Sequence, residues 1–451
     1  MLIKYIEFLA IFLAFTLVYY FVSHKLRKIL LLIASGVFLV KANLPLAVFF
    51  AAAILINYLL MLMPAEKFSS SKRKKIWLGA QIFINLALLV TIQIILKEQF
   101  EGSLIFRICA IFCILRMIAH SIDSHKGRVV RCSLIQFALY ITFTPTLLGP
   151  IERERRMMAY FNKEVNFDYV DITYGLRLIA WGILKLAVVV PRSETIVNTV
   201  FGSLGSYGGF AHIIAIILFM FQFYCSLSGL CDIGAGMANV LGFDLASNFD
   251  TPYITKTISE YWRRWNRTYS TWLRDYIYKP LGGSRTTRLG WSANTMITFI
   301  VGSFLYGWSV EILIWSVICA AMLIVHRTTQ DIRGKLVNKH LNIVRDVLKC
   351  ILTFIAILLV WTIYRASGLT DVWYIITHLF MKTDYTQITH FLETFGVGNV
   401  VILLITVVGL VISEWVGLCI RRQKEYREGA SRIVRWSGYA FLVLWILVFG
   451  I

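Results

Sequence analysis

The chain has 451 residues, 58% of them hydrophobic and 14% aromatic, with 45 Lys and Arg against 25 Asp and Glu, a formal charge of +20. With 16% charged residues and only 7 prolines there is too little polar surface to wet a globule of this length, which excludes a soluble enzyme and predicts a polytopic membrane protein. The cations fall in short clusters between apolar runs, where cytoplasmic loops and anionic headgroups want them; membrane lipid is the expected partner, and nucleic acid is excluded.

Apolar runs of the length that crosses a bilayer, or slightly shorter, recur along the whole chain. In order they lie near 5–22, 29–43, 45–63, 76–96, 104–120, 132–149, 173–191, 211–231, 292–308, 310–326, 347–365, 396–414 and 433–450. The predicted fold class is all-α, a polytopic protein of about 11–13 spanning and re-entrant helices. The first run leads straight into Lys25, Arg27 and Lys28 without a small-residue cleavage site and is expected to stay as a span. Basic clusters at 24–28, 67–75 and 126–131 are each two spans apart, so they share one side and place the N-terminus on the other. No repeat or linker divides the chain. A single membrane domain over 1–451 is expected, with amino-terminal helices at 1–150, a core at 151–345 and carboxy-terminal helices at 346–451. The longest polar loops are 327–346 and 421–433. The eight cysteines, Cys109, Cys113, Cys132, Cys225, Cys231, Cys319, Cys350 and Cys419, are scattered without paired spacing, so they read as small buried hydrophobes and not as a metal site.

One segment breaks the apolar pattern. Residues 251–289 (TPYITKTISEYWRRWNRTYSTWLRDYIYKPLGGSRTTRL) are too polar to face lipid, yet hold Tyr261, Trp262, Trp265 and Tyr269. Seven cations, Arg263, Arg264, Arg267, Arg274, Lys279, Arg285 and Arg288, face a single acid after Glu260, namely Asp275. Charge of this density is costly at membrane depth, so the segment lies at the interface or inside the protein around a cavity. Read as composition alone it is also a juxtamembrane amphipathic helix.

The order of residues narrows this. YWRRWNRTYSTWLRDYIYKPLGG (261–283) resembles the signature stretch of the membrane-bound O-acyltransferase family, in the bacterial branch that serves alginate O-acetylation and teichoic-acid D-alanylation. HSIDSHKG (120–127), FTPTLLGPIERER (143–155), GLRLIAWGILKLAVVV (175–190) and FQFYCSLSGLCDIGAGMANVLGFDLASNFDTPY (221–253) are similar to further family elements in the family's order. The resemblance implies a ring of helices around a central tunnel in a bacterial inner membrane. It implies a cytoplasmic donor, a thioester of coenzyme A or of a carrier protein, with no bound cofactor and no metal. It further implies an extracytoplasmic acyltransferase partner or polysaccharide acceptor. Trp262, Arg263, Arg264, Trp265, Arg274, Asp275 and Tyr278 become expected tunnel residues, together with Ser226 and Asp232, where Ser226 replaces the usual Asp.

The chain departs from the family at its base. A family member carries a catalytic histidine inside a span, whose imidazole takes the proton of the acceptor hydroxyl. Alignment of GSFLYGWSVEILIWSVICAAMLIVHR (302–327) puts Tyr306 at that position and Cys319 at the second histidine, with Trp315 in register between them; Asn266 holds the polar position of the signature. Three readings stay open: an active acyltransferase using Tyr306, Asn266, Cys319 or a displaced histidine such as His326; a catalytically silent relative serving as a binding or scaffold subunit of an envelope-modification complex; and a transporter, which Asp232 and Glu311, as isolated intramembrane charges, support poorly. His212 opens a span and is expected at an interface, and His120 is expected to support the tunnel wall.

Overall fold

In a computed structural model, the structure describes residues 2–62, 70–99, 104–129, 132–304, 306–307, 309–329, 342–381, 385–422 and 432–451. Parts of the 67–75 and 126–131 clusters, most of the 327–346 and 421–433 loops, Trp308, His340 and the Cys419 side chain lie outside them. The described residues are helical with no strand, and nine helices are long and apolar enough to cross a membrane. Two shorter apolar stretches, Leu134–Leu148 and Trp436–Phe449, join them. Each of the thirteen expected runs contains a helix. The helix at His24–Ala42 falls short of the nine because Lys25, Arg27, Lys28 and Lys41 dilute it, and Arg288–Ser303 because it has only 16 residues. The chain divides into two compact units, one of Lys4–Ile179 with Leu230–Ser247, the other of Met1–Ile3, Ala180–Gly229 and Asn248–Ile451.

In the first unit the expected span at 132–149 is broken. Helices α1 (Leu134–Thr142) and α2 (Thr144–Leu148) part at Phe143, because Pro145 has no N–H to give and the Thr144 N–H turns to Ser35 Oγ (3.3 Å). The break orphans the carbonyls of Tyr140 and Ile141, which water cannot reach at membrane depth. Helix α3 (Leu104–His125) supplies both partners. Arg116, fully buried, donates to the Tyr140 carbonyl (2.9 Å) and to Thr146 Oγ1 (2.6 Å) and O (3.0 Å), while Cys113 Sγ donates to the Ile141 carbonyl (3.5 Å). A buried cation is thus solvated by oxygens on both sides of the break. Arg116→Leu strands these acceptors and should lower thermal stability in detergent by about 2–3 kcal/mol, the cost of one or two unsatisfied buried carbonyls.

Small residues allow a close helix approach in this unit. A Cβ on Gly175 would sit 2.5 Å from the Gly236 carbonyl, and one on Gly236 would sit 2.5 Å from the Gly175 carbonyl, so only glycine fits on either side. His120 and Glu154 are both buried and joined Nδ1 to Oε2 at 2.5 Å, which ties α3 to the start of the Glu154–Asn162 helix and agrees with a supporting role for His120.

The second unit contains an ion pair between two candidate spans that the sequence reading did not single out. A helix running to Leu184 opens into a π turn at Lys185–Val189 before Pro191. The carbonyl four residues before the proline, that of Ala187, accepts instead from the Ile451 N–H (3.0 Å). Lys185 Nζ lies 3.8 Å from Glu414 Oε1 and 5.1 Å from the centre of the Tyr224 ring, and the Tyr224 hydroxyl donates to the same carboxylate oxygen. His212, near the start of the Gly209–Val240 helix, is buried, and its Nε2 faces the Leu204 carbonyl at 3.1 Å.

Candidate functional site

The arginine-rich stretch folds into two short helices and a π turn, none of spanning length. Thr257 caps α4 (Ile258–Arg264) by accepting from the Glu260 N–H (3.1 Å), and Glu260 in turn holds Arg264 at 2.6 Å one turn on. The chain then kinks. Trp265 is extended and Asn266 takes a left-handed φ of 41°, a conformation that asparagine tolerates better than most side chains. Asn248 receives the restarted helix α5 (Arg267–Leu273): its carbonyl accepts from the Arg267 N–H (2.8 Å) and its side chain from the Thr268 N–H (3.3 Å). A π turn at Arg274–Tyr278 follows, then a turn through Gly282 and Gly283 into α6 (Arg288–Ser303).

These elements, with α6 and α7 (Val310–Thr328), enclose a cavity of about 850 Å³. Helix α6 contributes a stripe from Trp291 through Thr295 and Phe299 to Ser303, and α7 contributes Trp315, Leu323, His326 and Arg327. Trp291 and Arg327 meet at one end, with the guanidinium 4.3 Å from the ring centre. Tyr306 and Trp315 meet at the other, their ring centres 5.6 Å apart. Arg263, Arg267, Arg274, Arg327 and His326 line the cavity, and among the described residues no carboxylate does, so it suits an anionic ligand.

Tyr306 was expected inside a span over 292–308. Helix α6 instead ends at Ser303, and Tyr306 sits in the short connection to α7, where Gly307 at φ 148° breaks the helix and Ser309 caps the next one. The phenol ring lies among Phe223, Tyr269, Trp315 and Tyr364, with centroids 5.6–6.4 Å away. Its hydroxyl oxygen accepts the Trp265 Nε1–H (3.2 Å).

The expected site residues separate into three groups. Trp262, Arg263, Trp265, Arg274, Tyr278 and Tyr306 line the cavity. Asn266 and Cys319 stand behind that lining, both buried; Arg264 is spent on Glu260 and on Thr251 Oγ1 (3.0 Å), and Asp275 on Arg274 (3.1 Å) and Lys279 (2.8 Å). Ser226 donates to the Gln222 carbonyl (2.8 Å) within its own helix, and Asp232 falls in the other unit. Sequence reasoning did not assign Arg267, Arg327 or the indole N–H of Trp315 to the cavity. Arg267 and Arg327 lay in view among the cations flanking its motifs, whereas nothing in the sequence marks the Trp315 N–H.

A polytopic helical membrane protein with an enclosed, cation-lined and aromatic-floored cavity is the class that this geometry defines. Residues 29–369 match the membrane-bound O-acyltransferase (MBOAT) family, and the chain belongs to it. It is 27% identical over 381 residues to a peptidoglycan O-acetyltransferase of Helicobacter pylori, covering 76% of this chain and 71% of that one. Identity to the probable alginate O-acetylase AlgI of Azotobacter vinelandii is 27% over 397 residues, 84% of this chain and 77% of the other. A shorter match, 28% over 175 residues, covers 37% of this chain and 42% of the teichoic acid D-alanyltransferase of Bacillus subtilis.

Proposed function

We propose that the protein is an acyltransferase of the bacterial inner membrane that moves an acyl group from a cytoplasmic thioester toward a cell-surface polysaccharide or related envelope polymer. The observation that carries this reading is the cavity itself: four arginines and a histidine line it with no carboxylate among the described residues, and it closes on Tyr306 and Trp315. The arginines suit the phosphate of a phosphopantetheine arm, which coenzyme A and carrier proteins share, and the aromatic end suits a small acyl group. The names of the relatives, whose polymers are peptidoglycan, alginate and teichoic acid, support an envelope acceptor.

In the transfer the acceptor hydroxyl oxygen bonds to the acyl carbon, the carbon–sulfur bond breaks, and the hydroxyl proton ends on the released thiol. Trp265 positions Tyr306. The acyl group passes to the polymer directly or through an extracytoplasmic acyltransferase partner. Membranes containing the protein, given a radiolabelled acyl thioester and an envelope polymer fraction, should yield alkali-labile label in the polymer. Label no greater than in membranes lacking the protein, across coenzyme A and carrier donors, rejects the reading.

A second reading, a silent binding subunit, is favoured by one observation: the Tyr306 hydroxyl oxygen already accepts the Trp265 N–H at the position where the resemblance places the family's base. It differs from the first in turnover and not in what the cavity holds.

A further inference from the structure

We infer that Trp315 and Tyr306 form a two-donor seat for the carbonyl oxygen of the acyl group, which makes Trp315 a ligand-binding residue and not packing; the inference rests on the reading that the cavity receives an acyl thioester. Trp315 is 2% exposed, and its Nε1–H has no hydrogen-bond partner among the described residues. The two other fully buried tryptophans of the same aromatic cluster are satisfied, Trp265 by the Tyr306 hydroxyl (3.2 Å) and Trp361 by the Tyr261 hydroxyl (2.9 Å). A buried indole N–H normally finds an acceptor, and leaving it bare is costly. Trp315 lines the cavity, so a ligand can supply the missing acceptor.

Tyr306 offers the second donor. Its hydroxyl oxygen takes the Trp265 N–H. The phenolic O–H is left to donate, and no described side chain or backbone group accepts from it. The two ring centres are 5.6 Å apart and edge-on, so the indole and the phenol border the same end of the cavity. Among the described residues no cation is stacked on either ring, so the seat suits a neutral carbonyl oxygen that gains charge during reaction and not a carboxylate that arrives with it. Tyrosine in place of histidine therefore exchanges an acceptor of protons for a donor of hydrogen bonds.

The test compares binding of S-acetonyl-4′-phosphopantetheine, a ketone that keeps the carbonyl but cannot transfer an acyl group, with S-propyl-4′-phosphopantetheine, which has the same shape without the oxygen. The wild-type protein in detergent should bind the ketone about tenfold more tightly or better, as expected for an oxygen seated on two buried donors. Trp315→Phe, which keeps an aromatic ring and loses the N–H, should bring the ratio close to one while leaving S-propyl affinity unchanged. Tyr306→Phe should lower the same ratio and serves as the second variant should Trp315→Phe be poorly folded. A wild-type ratio near one overturns the seat, as does a Trp315→Phe ratio equal to the wild-type one. Equal loss of both analogues in Trp315→Phe marks the indole as packing and overturns it too. Failure of the wild-type protein to bind either analogue rejects the thioester reading of the cavity, and the seat with it.

Discussion

Tyr306→Phe is expected to lower kcat for acyl transfer by roughly 10²–10³ and to raise KM only by about a few-fold, because a preorganised donor that seats the carbonyl binds the developing oxyanion more strongly still. The change deletes one oxygen from a ring whose position is held by Phe223, Tyr269, Trp315 and Tyr364, so the pocket keeps its shape. The Trp265 N–H loses its acceptor as well, a stability cost of about 1–3 kcal/mol that does not by itself lower kcat. Tyr306→His restores the group that the family places here. Its rate should fall as pH drops through the ordinary histidine range, about 6.5, because a protonated imidazole cannot accept the acceptor's proton. Stopped-flow thiol release across pH for the two variants side by side checks both statements.

The second large effect concerns the Lys185–Glu414 pair. The Lys185 side chain is 3% exposed and that of Glu414 17%, so removing one partner leaves the other charged in an apolar surrounding. Lys185→Met or Glu414→Gln should each cost about 3–5 kcal/mol, whereas the double variant Lys185→Met/Glu414→Leu should recover most of the loss, because a buried pair replaced as a unit is often close to neutral. The comparison is made by thermal denaturation in detergent. Tyr224, which donates to Glu414, makes the glutamate variant the more informative of the two singles: its ring also packs against Trp265 at 6.2 Å, so disorder there should reach the Tyr306 hydroxyl.

The sequence carried much of this. Apolar runs announced the helices, and the arginine-rich stretch announced itself as a segment that could not face lipid; both statements rest on composition along a single strand of chain. What composition cannot report is which distant groups meet. Pro145 was visible, but a break in the span at 132–149 requires Arg116 and Cys113 to satisfy the freed carbonyls, and these sit on another helix. Lys185 and Glu414 each looked like a lone charge in an apolar run; Asp232 and Glu311 were noticed in their place, and the pair exists only once the helices are packed. At the site, alignment put Tyr306 and Trp315 in register with the family, yet the indole N–H without a described partner and the phenol oxygen bonded by Trp265 follow from three-dimensional neighbours.

The central claim is that this cavity turns over an acyl thioester although tyrosine stands where the family has histidine. Purified protein given acetyl-coenzyme A, or an acylated carrier protein, together with a polysaccharide acceptor should release thiol well above a heat-inactivated control. Tyr306→Phe should cut that release by roughly 10²–10³. Release from the wild-type protein no greater than the control with every donor, or equal release from wild type and Tyr306→Phe, would contradict it.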